Sequence, residues 1–194
     1  MLVQSVQLWV QRWVRSFGQS ALSRLLLGLS FLIGGPSASA APPQHQMAGV
    51  VVAVADGDTV SLLDADKVLH RIRLLGIDAP EKKQPFGQRA KQHLSSLAFS
   101  KPARAVCGKT DRYGRQVCQV FVDGLDVGLA QVAGGMAWHY RQYERYQAGE
   151  DRWRYAEAEG GAREARRGLW QDAHPVPPWD FRREARQASA AVIN

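Results

Sequence analysis

Carboxylates and guanidiniums crowd three short stretches of this 194-residue chain: DGDTV at 56–60, RLLGIDAPE at 73–81 and TDRYGR at 110–115. Asp56 and Asp58 flank Gly57, Asp78 and Glu81 flank Ala79 and Pro80, and Arg73 and Arg115 each belong to one of the other two stretches. Carboxylates gathered at one spot cannot all stay ionised without a cation between them. Oxygen donors with no histidine or cysteine nearby select a hard ion such as Ca²⁺ or Mg²⁺. A guanidinium binds phosphate through two parallel hydrogen bonds and keeps its charge when buried. Two arginines converging on a phosphate beside a metal and a carboxylate would form a phosphodiesterase site. Plainer readings stand beside this one. An aspartate before glycine often only hydrogen-bonds its own turn, each arginine alone is a solvated charge, and Tyr113 either meets a nucleotide or caps the core.

The elements that must position these groups follow from periodicity and turn signals. Ala48 to Ala55 is valine-rich and reads as a buried strand, and Asp-Gly at 56–57 turns the chain into a second strand from Thr59. A turn at Asp64–Lys67 leads into a third strand, Val68 to Ile77, on which Arg71 and Arg73 share one face and Ile72 and Leu74 the other. Asp78 ends that strand, and Pro80 prevents regular pairing beyond it. Only one of Arg71 and Arg73 is needed at a site, the other facing solvent. Phe86 to Phe99 switches to helical spacing, and Ala103–Cys107 and Arg115–Val122 read as two more strands. A second helix is expected over Leu125–Ala133 and a third over Glu150–Arg167, bending or fraying at Gly160-Gly161 unless packing holds it. PVPPWDF at 175–181 reads as a surface strap and Arg182 to Asn194 as a flexible tail. Five short strands with a helix between the third and fourth predict an α+β fold, a five-stranded oligonucleotide-binding (OB) barrel with three helices. The domain so defined spans 48–172, preceded by a disordered or extended leader at 41–47 and followed by the strap and tail at 173–194.

Composition adds a compartment. The first forty residues carry Arg12, Arg15 and Arg24 and no acid, then an apolar run at Leu25–Ile33, then Ala38-Ser39-Ala40. That order predicts a secretory signal peptide over 1–40, cut after Ala40, and the run is too short to span a bilayer, which needs about 20 residues. The expected product is exported to the periplasm or beyond, with no stable membrane insertion, and monomeric. Loss of those three arginines lowers the formal charge of +7 but leaves a basic chain, which favours a polyanionic partner. Cys107 and Cys118 are the two cysteines. An oxidising compartment makes them a candidate disulfide, with two small buried thiols the alternative. A Cα separation above about 7 Å would exclude the bridge.

Taken together, DGDTV, RLLGIDAPE and TDRYGR resemble the signature stretches of the thermonuclease, or staphylococcal nuclease, family, in matching order. GMAW at 135–138 and GLW at 168–170 also resemble family segments. The resemblance covers about residues 48–172. It implies an OB barrel that hydrolyses DNA and RNA with one Ca²⁺ ion and leaves 3′-phosphate ends. By that resemblance Asp58 and Asp78 are side-chain metal ligands, and Ala79 supplies its backbone carbonyl. The family's archetype has threonine at the position of Ala79, so a hydroxyl is lost but the carbonyl is kept. Glu81 corresponds to the general base, Arg73 and Arg115 to the pair that binds phosphate and stabilises the transition state, and Tyr113 to a tyrosine contacting a terminal phosphate. The family's base-stacking tyrosines have no clean counterpart among Trp138, His139, Tyr140 and Tyr143. The competing expectations are a non-catalytic nucleic-acid-binding OB protein and a structural envelope protein that reuses the fold.

Overall fold

Alternation of small and branched apolar residues builds a barrel in the computed structural model, which describes residues 44–193. The expected signal peptide at 1–40 lies outside the described residues. Strand β1 (His45–Val54) turns at Asp56–Asp58 into β2 (Thr59–Asp64), and β2 pairs with β3 (Leu69–Leu74), all antiparallel. Helix α1 (Gly87–Ala98) then crosses to β5 (Pro102–Thr110), which pairs with β1 and with β6 (Gln116–Val122). A parallel pairing of β3 with β6, Ile72 opposite Gln116 and Leu74 opposite Cys118, closes five strands into a barrel. Closure removes the exposed edges that an open sheet of this size would carry. Val51, Val60, Leu62, Ile72, Leu74, Ala105 and Val120 point inward and are buried, and Ala90 and Leu94 of α1 join the same core.

The third strand is split. After Leu74 the chain leaves the barrel, and Gly76 adopts φ +80°, where the left-handed region suits glycine. Two residues, Ile77–Asp78 (β4), then pair with Trp138–His139 (β8). The break places Asp78 in a separate two-stranded pair rather than in the barrel sheet. Leu125–Asp126 (β7) is a short strand rather than the first turn of the second helix, because Asp126 is the N-cap of α2 (Val127–Ala133) and accepts from the N–H groups of Gly128 and Leu129. Helix α3 (Gly149–Glu164) runs unbroken through Gly160 and Gly161, anchored on either side by buried Glu159 and Ala162.

The leader, expected to be disordered or extended, is extended from His45: His45–Met47 pair with Ala105–Cys107, since β5 is long enough to offer backbone partners to them. The end of the chain, expected to be a surface strap over 175–181 and flexible from Arg182, instead forms a fourth α-helix, α4 (Pro178–Ile193), with Pro178 buried. Proline is well suited to a first helical turn, and the Ala, Arg and Glu that follow are good helix formers. Tertiary contact fixes it: Trp179 packs edge-on to Trp138 at 5.6 Å and stacks on Tyr140 at 5.4 Å.

Cys107 and Cys118 are direct cross-strand partners on β5 and β6, with Cα atoms 4.0 Å apart, and are joined as a disulfide. Both are fully buried. Among the described residues no helix is long and apolar enough to cross a membrane.

Candidate active site

The register of β2 against β3 sets the first contact. Thr59 lies opposite Arg73, and the Asp58 carbonyl accepts from the Leu74 N–H at 2.8 Å, so the Asp-Gly-Asp turn curls over the end of β3. The turn can press that close because residue 57 is glycine. A Cβ there would fall 2.6 Å from the Ala79 Cβ and 2.7 Å from the Ala90 Cβ. Gln131 of α2, wholly buried, pins the turn by donating to the carbonyls of Gly57 at 2.6 Å and Ala90 at 3.0 Å, while His93 meets its side-chain oxygen.

Arg73 ties the two aspartates together. One end of its guanidinium lies 2.9 Å from Asp58 Oδ2 and the other donates to Asp78 Oδ1 at 2.8 Å. Asp58 also accepts from the Thr59 hydroxyl at 2.9 Å and from the Ala79 N–H at 3.3 Å. Burial raises the Asp58 pKa above the ordinary carboxylate value, and Arg73 only partly offsets it. Burial likewise works against the charge of Arg73, but Asp58 and Asp78 outweigh it and hold the guanidinium firmly protonated. Asp56 serves the turn itself, its Oδ1 accepting from the Asp58 N–H at 3.1 Å.

Arg115 arrives from the far side on the β5–β6 connection. It donates to the Thr59 hydroxyl at 3.2 Å, and so joins the Asp58 cluster through one side chain. Asp111 holds it, accepting from Arg115 Nε at 2.8 Å and from the N–H groups of Tyr113 and Arg115. Burial favours the neutral Asp111, but these hydrogen bonds prevail and lower its pKa. Tyr113 stands at the tip of the turn, 66% exposed, with the guanidiniums of Arg112 and Arg115 5.0 and 5.5 Å from its ring. Arg71 is exposed and lines the same cleft, but it takes no part in the ion pairs that join Arg73 to Asp58 and Asp78.

Asp58, Arg73, Ala79, Glu81, Tyr113 and Arg115 all line one open cleft of about 970 Å³. Asp78 lies beneath it, wholly buried. Tyr140, Tyr143 and Tyr146 form another wall, and Lys109 Nζ sits 4.4 Å from the Tyr143 ring and 3.7 Å from the Tyr146 ring. Two residues that the sequence did not single out complete the site. Gln131 holds the Gly57 turn, as above. Arg182, on the first turns of α4, donates to Asp78 Oδ2 at 2.7 Å, to Asp78 Oδ1 at 3.2 Å and to Glu81 Oε1 at 2.7 Å. The one signal of Arg182 in the sequence is its place in FRREAR, where Arg182 and Arg186 are four apart and so share a helix face; both line the cleft.

The donor set suits a hard cation. Asp58 and Asp78 lie close enough to share one guanidinium, and the burial penalty on Asp58 would be relieved by a further positive charge. Among the described residues no three acidic, histidine or cysteine side chains gather into a ready-made cage, so the remaining ligands of such an ion would be water or phosphate oxygen.

The comparisons with known proteins point the same way. The chain is 42% identical over 135 residues to an uncharacterized endonuclease of Escherichia coli O157:H7, covering 69% of this chain and 84% of that relative. It is 37% identical over 134 residues to an uncharacterized endonuclease of Haemophilus influenzae, covering 69% and 72%. A micrococcal nuclease of Shigella flexneri is 36% identical over 157 residues, covering 76% of this chain and 87% of its own. Residues 71–172 match the family described as Staphylococcal nuclease homologue, and with a closed five-stranded barrel around the three motifs, the chain belongs to the staphylococcal nuclease family and is a nuclease.

Proposed function

We propose that the protein is an exported, Ca²⁺-dependent nuclease that cleaves DNA and RNA with low sequence specificity and leaves 3′-phosphate ends. The observation that carries this reading is the convergence of Asp58, Arg73, Asp78, Glu81 and Arg115, from three separate stretches of chain, around one open cleft. In this reading Asp58, Asp78 and the Ala79 carbonyl hold the ion. When bound, that ion polarises a phosphoryl oxygen and offsets its charge.

The chain's own residues do the rest. Arg73 and Arg115 bind the non-bridging oxygens of the scissile phosphate, and their fixed charges act where negative charge develops at phosphorus, commonly the largest contribution to rate. Arg73 is placed for this by the two aspartates, and Arg115 by Asp111 and Thr59. Glu81, partly exposed at the cleft, orients an attacking water and takes its proton. Tyr113 meets a neighbouring phosphate at the rim. An open cleft accords with low sequence specificity. Export rests on the signal-like first forty residues, and the 3′-phosphate product and the preference for Ca²⁺ on the family resemblance.

The test is incubation of the purified mature chain with end-labelled single-stranded DNA and RNA, in Ca²⁺ or in chelator, followed by analysis of product ends. Cleavage of both that needs Ca²⁺ and yields 3′-phosphates is expected. Salt-sensitive binding without cleavage would instead return the non-catalytic barrel.

A further inference from the structure

Arg182 reaches the site from 104 residues away in sequence, and it takes the oxygens that an ion would need. Its guanidinium covers both oxygens of Asp78 and also one of Glu81. Arg73 takes Asp78 Oδ1 as well. Asp78 is wholly buried, so these donors fill the approach to its carboxylate.

Among the residues whose burial is described, the helix that delivers Arg182 is docked through its first turns. Pro178 is buried and Trp179 packs on Trp138 and Tyr140, whereas the pair of Arg183 with Asp180 lies within the helix and contributes nothing to docking. Arg183 to Ala191 are exposed. Docking is therefore concentrated between Pro178 and Arg182, and the ion pairs of Arg182 with Asp78 and Glu81 form the inner part of that contact.

Two cations that need the same carboxylate oxygens compete, and competition is reciprocal: whatever one loses in affinity, the other loses equally. We infer that Arg182 is a tethered competitor of the divalent ion, so that docking of the C-terminal helix sets the ion concentration at which the site fills. This rests on the reading of Asp58 and Asp78 as ion ligands. Filling the site frees Arg182 from Asp78 and loosens the first turns of α4. The residue thus determines ion affinity while holding none of the ion itself.

The experiment is a calorimetric titration of Ca²⁺ into the mature chain and its R182Q, R183Q and D58N variants, with hydrogen exchange of Phe181–Arg186 measured with and without Ca²⁺. R182Q is expected to bind Ca²⁺ about 10-fold more tightly, within the usual range of coupling between sites. R183Q, on the exposed side of the same helix, should match the parent, and D58N should lose binding. Saturating Ca²⁺ should speed exchange of Phe181–Arg186 in the parent. Equal or weaker affinity in R182Q, with D58N still losing it, overturns the inference and leaves the ion site standing. An affinity unchanged by D58N, or no binding in any chain, overturns both.

Discussion

Arg73 is the residue that ties the two buried aspartates of the site together. It bridges Asp58 and Asp78 with separate nitrogens, which a single ammonium cannot do. Arg73→Lys is therefore expected to lower kcat by about 100-fold or more, the scale seen when one fixed donor to a transition state is removed, and steady-state kinetics on single-stranded DNA will measure it. Gln131 acts at a distance from the chemistry. Gln131→Leu strands the buried carbonyl of Gly57 and removes the second donor to that of Ala90, and should lower unfolding free energy in urea by about 1–3 kcal/mol. Asp58, Arg73, Asp78, Glu81 and Arg115 were legible because each sits within a short motif whose neighbours advertise it. Gln131 and Arg182 were not, because their partners lie 74 and 104 residues away and only the folded chain brings them together.

At the scale of elements, the barrel strands were legible because Asp-Gly turns and period-two alternation are local signals, and the first helix because its apolar spacing is local too. The split of the third strand was hidden. Val68 to Ile77 reads as one run, yet Gly76 at positive φ and the pairing of Ile77–Asp78 with Trp138–His139 depend on a segment far along the chain. The C-terminal helix was hidden for the same reason, since Trp138 and Tyr140 supply the surface that holds Trp179. The bridge between Cys107 and Cys118 braces the hairpin that ends in Arg115. Replacing both cysteines by alanine should cost about 2–4 kcal/mol of stability by chemical denaturation, and should weaken activity through looser placement of Arg115.

The whole molecule carries a pH signature. The Asp64 carboxyl, hydrogen-bonded by His70, and the Asp111 carboxyl, hydrogen-bonded by Arg115, both titrate below the ordinary value of 3.8 in the folded state. A depressed folded pKa adds stability above the unfolded value, and this is lost as pH falls through the folded value. Acid unfolding is therefore expected to steepen below pH 3.8, and Asp111→Asn should flatten that limb in denaturation curves taken across pH. The barrel class itself was legible from the order of strands and helix, and its closure by the parallel pairing of β3 with β6 joins the stretch bearing Arg73 to the one bearing Arg115.

That union of two stretches in one cleft is tested most directly by single-turnover cleavage of end-labelled DNA in saturating Ca²⁺, comparing the mature chain with Glu81→Gln. The predicted result is cleavage that stops in chelator and falls by about 100-fold or more in the variant, the range of general-base contributions. Cleavage that persists in chelator, or that is undiminished in Glu81→Gln, would contradict it.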